Sequence, residues 1–213
     1  DEENRLRTVR RVLERLRPDI IVPAQDPYGV AYRILGRLSV DTWKDYHTRA
    51  AAIVKQVRPR TRVALTASAY DSRDSTLYAW AAERGSPIDV IAFSFYPTRQ
   101  GARAIDAGFR AADRWMRAHP ASKPHWVFTG GYPLAHGQRS QDRAVWAGLA
   151  WATSHAEVHG AVVTEAGDYG QAMGVRAPNG DYRLPSASVR RASRAMRESI
   201  IQPAAPTTPS PSA

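Results

Sequence analysis

The chain has 213 residues, enough for one large domain, with 43% hydrophobic and 23% charged residues. No apolar run approaches the ~18–20 residues that cross a bilayer, and the lack of cysteine excludes disulfides and thiolate metal sites. Lys and Arg number 30 against 20 Asp and Glu, a net charge of +10. That excess is mostly Arg and is spread along helices with no nucleic-acid motif beside it, so it reads as an Arg-rich surface and no nucleic-acid partner is expected.

The chain opens on the charged run DEENRLRTVRR, which shows no signal peptide and looks like the inside of a helix, as if a natural start had been trimmed away. Leu6, Val9, Val12, Leu13 and Leu16 recur at helical spacing until Pro18 stops them. DIIVPA follows as a short apolar strand, then a helix from residue 39, capped by Ser39 or Asp41, that runs towards Pro59. RVALTASAY predicts a second strand, DSTLYAWAAERG a helix closed by Gly85, and IDVIAFSFYP a third strand. The long amphipathic helix of residues 101–120 leads to KPHWVFTGGYP, a strand with a glycine-rich exit. SQDRAVWAGLAWATSHA is helical, VHGAVVTEAGDYG a fifth strand, and SASVRRASRAMRESI a last helix. The domain is expected over residues 1–201. The Pro-, Ser- and Thr-rich residues 202–213 are expected to be disordered or a linker, a composition that fits a secreted protein.

Strands of Val, Ile and Phe that alternate with helices indicate a parallel sheet covered by helices, either doubly wound or a (β/α)8 barrel. In both, function gathers at the carboxyl ends of the strands. Those ends hold Gln25, Asp26, Pro27 and Tyr28; then Thr66, Ser68, Tyr70 and Asp71; then Ser94, Phe95, Tyr96 and Pro97. The last two hold Thr129, Gly130, Gly131, Tyr132 and Pro133, and Thr164, Glu165, Asp168 and Tyr169. Carboxylates, hydroxyls and aromatic rings together suit carbohydrate, whose C–H faces stack on rings and whose hydroxyls bond to carboxylates. No GxGxxG or GxxxxGK[ST] follows a strand, no GxSxG elbow occurs, and His155 and His159 lack an HExxH setting, so no cofactor and no metal are expected. Trp126, Trp146 and Trp151 are expected to pack in the core or between helices, and Asp89, which precedes its strand, to be structural.

In this order the motifs resemble the carboxyl-terminal part of the (β/α)8 glycoside hydrolases of the large retaining superfamily. AQDPYG is similar to that superfamily's fourth-strand exit, Asn-Glu-Pro, with Asp26 at the acid/base position and Gln25 at the Asn. DVIAFSFYP resembles the sixth strand, KPHWVFTGGYP the seventh, and GAVVTEAGDYG with MGVRAPNGDYRLPSASVRRA the eighth strand and its closing turn. The resemblance spans roughly residues 3–199 and implies an α/β fold of TIM-barrel type with strands four to eight present and the first three before residue 1, or supplied by a partner. It also places Thr129 where the nucleophilic Glu belongs, and Thr cannot supply that carboxylate.

What the resemblance implies for function is hydrolysis of a poly- or oligosaccharide, with Asp26 as general acid and Glu165 as second carboxylate. A separation of ~6.5–9.5 Å between them would suit inversion, against ~5–5.5 Å for retention. Gln25, Tyr28, Tyr70, Tyr96, Thr129, Tyr132, Asp168 and Tyr169 are the expected sugar contacts. The alternatives are a non-catalytic carbohydrate-binding pseudoenzyme, motivated by Thr129, and a basic α/β interaction protein.

Overall fold

A computed structural model describes residues 2–96, 102–120, 123–131, 137–164 and 174–201, with side chains for all of these except 102–104 and 196–201. Helix α1 (Glu2–Leu16) buries Leu6, Val9 and Leu13 and carries Glu2 and Glu3 in its first turn and Arg15 in its last, as the helix dipole favours. Strand β1 is only Ile20–Ile21. A short helix that periodicity does not announce, α2 (Val30–Leu35), follows the AQDPYG loop. Helix α3 (Val40–Val57) starts where the side chain of Ser39 accepts the backbone N–H of Thr42 at 3.1 Å. It buries Trp43, Tyr46, His47, Ala50 and Val54 along one stripe.

Strand β2 (Arg62–Ala67) leads into α4 (Ser72–Ala82). That helix starts two residues before the predicted Asp74, because Asp71 caps it by accepting the N–H groups of Arg73 and Asp74. Strand β3 (Val90–Phe95), helix α5 (Ala102–Ala118), strand β4 (His125–Gly130), helix α6 (Gln138–Thr153), strand β5 (Val158–Thr164) and helix α7 (Pro185–Ile201) complete the chain. The closing turn before α7 folds back through an antiparallel bridge between Arg176 and Tyr182, with Gly180 at φ +92°.

All pairings are parallel and the spatial order is β1-β2-β3-β4-β5. A doubly wound sheet reverses its strand order at a switch point. A sequential order has no such reversal, so the sheet is part of a (β/α)8 barrel. The chain is an α/β half-barrel with helices packed on its outer face.

Register assigns each strand residue to a face. Val63, Leu65 and Ala67 of β2, Ile91, Phe93 and Phe95 of β3, and Val127 of β4 join the core beneath the helices. Thr66, Ser94, Phe128 and Gly130 alternate with them and so lie on the concave face. The outer core is aromatic: Phe93 stacks on His125 and Tyr78 with ring centroids 5.5 and 5.8 Å apart, and Trp151 meets Phe93 and Phe95 edge to face. Asp89 is structural as expected, accepting the N–H of Val63 at 2.9 Å. Trp146 departs from expectation. It is 44% exposed under the Arg191 guanidinium, because five residues along a helix turn it about 140° from buried Trp151. Trp126 lies on the strand rather than between helices, its ring where a Cβ on Gly160 would approach to 2.7 Å.

Sheet and helix approach closely where Gly148 of α6 passes Thr129. A Cβ on Gly148 would sit 2.6 Å from the Thr129 hydroxyl oxygen and 2.8 Å from its Cβ. Alanine gains up to ~1 kcal/mol of helix propensity, but overpacking costs ~1–3 kcal/mol. Gly148→Ala is therefore expected to lower stability by roughly 1–2 kcal/mol in urea unfolding, with part of the loss restored when Thr129→Ala is added.

Candidate active site

The carboxyl ends of β1, β2 and β3 meet around Asp26. After β1 the chain is pinned from outside, the Tyr46 hydroxyl donating to the carbonyl of Pro23 at 3.0 Å. Asp26 then takes a left-handed backbone, φ +49°, which Asp tolerates better than most residues. Its carbonyl accepts the N–H groups of Gly29 and Ala31 and turns the chain into α2. Its own N–H donates to the Thr66 hydroxyl at 2.6 Å. The Ser94 hydroxyl donates to Oδ1 at 2.7 Å, while Oδ2 is buried with no hydrogen-bond partner. Gly29 admits no side chain here, since a Cβ would lie 3.0 Å from Asp26 Cβ and far inside contact with Ser68.

Asp26 is 1% exposed. Burial raises its pKa, against the Ser94 and Thr66 hydroxyls that lower it. Both hydroxyls come from the concave face, so strand register aims them at one residue, Thr66 at its backbone N–H and Ser94 at its carboxyl group.

Beside it lies a second buried carboxylate that sequence reasoning passed over. Asp74 Oδ2 accepts three successive backbone N–H groups, Ser68 at 3.1 Å, Ala69 at 2.7 Å and Tyr70 at 2.9 Å, while Oδ1 is buried without a partner. Burial, helped by the charge of Asp71, pushes its pKa up to about 6 against those three N–H groups. The signal in the sequence is DSRDS, in which Asp71 reads as part of the strand exit and Asp74 as the first residue of the helix.

The other expected contacts scatter. Gln25 is exposed beside Asp26. Tyr28 is buried with its ring under the Arg73 guanidinium at 4.6 Å, its hydroxyl lacks a partner, and burial pushes its pKa up to about 12. Tyr70, at φ +56°, stacks on Phe95 and meets Trp115, and its hydroxyl donates to the carbonyl of Ser94 at 3.0 Å. Tyr96 reaches across Gly130 so that its hydroxyl shares a 3.0 Å hydrogen bond with Thr164.

Thr129, expected to contact sugar at the nucleophile position, instead faces outward. It is 0% exposed, and its hydroxyl lies 3.3 Å from the carbonyls of Phe95 and Ala144 beneath α6. The reason is the period of two: the concave-facing position at this level of β4 is Gly130. Tyr132, Glu165, Asp168 and Tyr169 lie outside the described residues. Among the described residues no three His, Asp or Glu side chains converge as a metal site, and no helix is long and apolar enough to cross a membrane.

No family model and no curated protein matches the chain. Solved structures do. Native xylanase 10B from Thermotoga maritima superposes with a TM-score of 0.61 at 14% identity, over 93% of this chain and 66% of its own. The β-glucuronidase of Faecalibacterium prausnitzii gives 0.67 at 15% over 91% and 35%, and that of Ruminococcus gnavus 0.65 at 13% over 91% and 35%. The chain thus spans between about a third and two thirds of the structures it resembles. At these identities the likeness is one of fold, and the chain shares the barrel architecture of glycoside hydrolases.

Proposed function

We propose that the chain belongs to a glycoside-hydrolase-like protein that acts on a poly- or oligosaccharide, with Asp26 as proton donor and Glu165 as second carboxylate. The observation that carries this reading is the state of Asp26. A left-handed backbone and a buried carboxyl oxygen without a partner each cost on the order of 1–3 kcal/mol. Such costs cluster where a group does chemistry, and Asp26 stands at the carboxyl end of a barrel strand. Burial that raises a carboxyl's pKa is what a general acid needs to protonate a leaving glycosidic oxygen. In this reading substrate or a loop movement opens the way to Asp26 Oδ2, and further strands close the barrel beyond β1 and β5.

A specific observation also favours a non-catalytic glycan-binding protein. The β4 position that faces the concave side is Gly130, crossed by Tyr96, and Thr129 is turned away. Release of reducing ends from a panel of polysaccharides by the intact gene product separates the two. The hydrolase reading expects turnover that falls ~10²–10⁴-fold in Asp26→Ala and in Glu165→Gln. Undiminished turnover in Asp26→Ala removes Asp26 from the mechanism. Glycan retention without turnover selects the binding protein, and salt-sensitive nucleic-acid binding without any glycan binding selects the basic interaction protein.

A further inference from the structure

Three links join Asp74 to Asp26. Asp74 Oδ2 gathers the N–H groups of Ser68, Ala69 and Tyr70. That turn holds Tyr70 in a left-handed backbone, a conformation costly for a bulky aromatic residue without such a restraint. The Tyr70 ring is set by Phe95 and Trp115, and its hydroxyl donates to the carbonyl of Ser94. Ser94 in turn donates its hydroxyl to Asp26 Oδ1. Gly108 leaves room for the arrangement, since a Cβ there would meet the Tyr70 ring at 2.8 Å.

We propose that Asp74 is a positioning residue for Asp26. Through the Ser68–Tyr70 turn and the Tyr70 hydroxyl it fixes Ser94, and with it the enclosed setting of the Asp26 carboxyl group. The role deepens the reading of Asp26 as proton donor and rests on it for its catalytic meaning. The connection itself is tested without any turnover. A lone structural clamp would stabilise α4 and its loop. This clamp also ends on the serine that donates to the candidate acid.

The titratable and charged groups around this chain of contacts are Asp26, Asp74 and Tyr96 around Tyr70, and Tyr28 and Asp71 around Asp74, with Arg73 over the Tyr28 ring. None of them stands between Ser94 and Asp26, which are in direct contact. Freeing the turn lets water reach Asp26 and moves its titration down towards the ordinary carboxylate range, since burial is the main cause that raises it.

The test follows the infrared C=O band of the protonated Asp26 against pH, assigned by its disappearance in Asp26→Asn. In Asp74→Asn an acceptor oxygen remains for the three N–H groups, so the Asp26 midpoint holds. In Asp74→Ala the acceptor is gone, so amide exchange at Ser68, Ala69 and Tyr70 speeds up and the midpoint falls towards the ordinary carboxylate range. Tyr70→Phe keeps the stack, removes only the hydroxyl, and serves if Asp74→Ala does not fold. It is expected to lower the midpoint in the same direction by less. An unchanged Asp26 midpoint in Tyr70→Phe, or in a folded Asp74→Ala with exposed amides, overturns the proposal. A gene product that cleaves no glycan in any form, yet shows these shifts, overturns the hydrolase reading and leaves the positioning role standing.

Discussion

Acidification from pH 7 to pH 4 is expected to charge two buried histidines, at a cost to the folded chain of about 3 kcal/mol each. His47 is sealed inside α3's packing, with Nδ1 2.8 Å from the carbonyl of Trp43 and Nε2 buried without a partner. His125 packs against the rings of Phe93 and Tyr78, with Nε2 3.0 Å from the Tyr78 hydroxyl. Burial lowers both pKa values to about 4. The unfolded chain therefore takes up these protons first. Stability is full above the ordinary histidine pKa and is lost as pH falls towards 4.

Each histidine then costs about 3 kcal/mol at pH 4. Asp74 acts in the opposite sense. Its folded pKa of about 6 lies above the ordinary value, so the folded chain binds that proton better. It returns about 2 kcal/mol over the same range, and Asp26 adds to it in the same direction. The two histidines and the two acids thus oppose one another, and a histidine variant isolates the histidine part. Urea unfolding at pH 7 and pH 4 measures the net loss. In His125→Phe, which keeps the stacking, the difference between the two pH values is expected to shrink by about 3 kcal/mol. A difference that is unchanged in that variant would place the acid sensitivity elsewhere.

The second large effect separates stability from chemistry at Asp26. Asparagine has nearly the same shape, tolerates φ +49° at least as well as Asp, and keeps an oxygen to accept the Ser94 hydroxyl. It removes the need to hide an ionisable group. Asp26→Asn is therefore expected to be as stable as the parent near neutral pH, or more so by about 1–2 kcal/mol. The raised pKa of Asp26 means that its own contribution to stability grows as pH falls below the folded pKa. The Asn variant lacks that component, so its thermal midpoint varies less with pH.

Asn has no proton to give. If Asp26 is the acid, turnover drops ~10²–10⁴-fold while the midpoint holds or rises. Melting curves and initial rates on one preparation decide it. A drop in both together would make Asp26 a structural turn residue whose loss disturbs the fold.

Much of the architecture was legible because it is written locally. Leu6, Val9 and Leu13 face one way on any helix of 3.6 residues per turn, and VIAFSF can be buried on both faces only in a covered parallel sheet. The order of such segments was enough to propose a covered parallel sheet, doubly wound or a barrel, and the resemblance of the strand exits to those of glycoside hydrolases pointed to barrel strands four to eight. Less legible were short or irregular pieces. Helix α2 has no periodicity over six residues to reveal it, and the start of α4 depended on which of two acids caps it.

The candidate site shows where local reading stops. Its position was visible: Asp26 followed an apolar strand and preceded a proline, and carboxyl ends of barrel strands carry function. Its chemistry was not, because it depends on atoms from strands far apart in the chain. Thr66 and Ser94 lie 40 and 68 residues beyond Asp26. The sequence alone determined the alternation of helix and strand, the parallel class of sheet and the end of it where a site would form, since each follows from which faces must leave water. Only the tertiary structure decided that Asp26 is enclosed, that Asp74 stands behind it and that Thr129 looks outward under α6. Those depend on strand register and on the close approach of Gly148, and a shift of one residue in register would have turned Thr66, Ser94 and Thr129 to the other face.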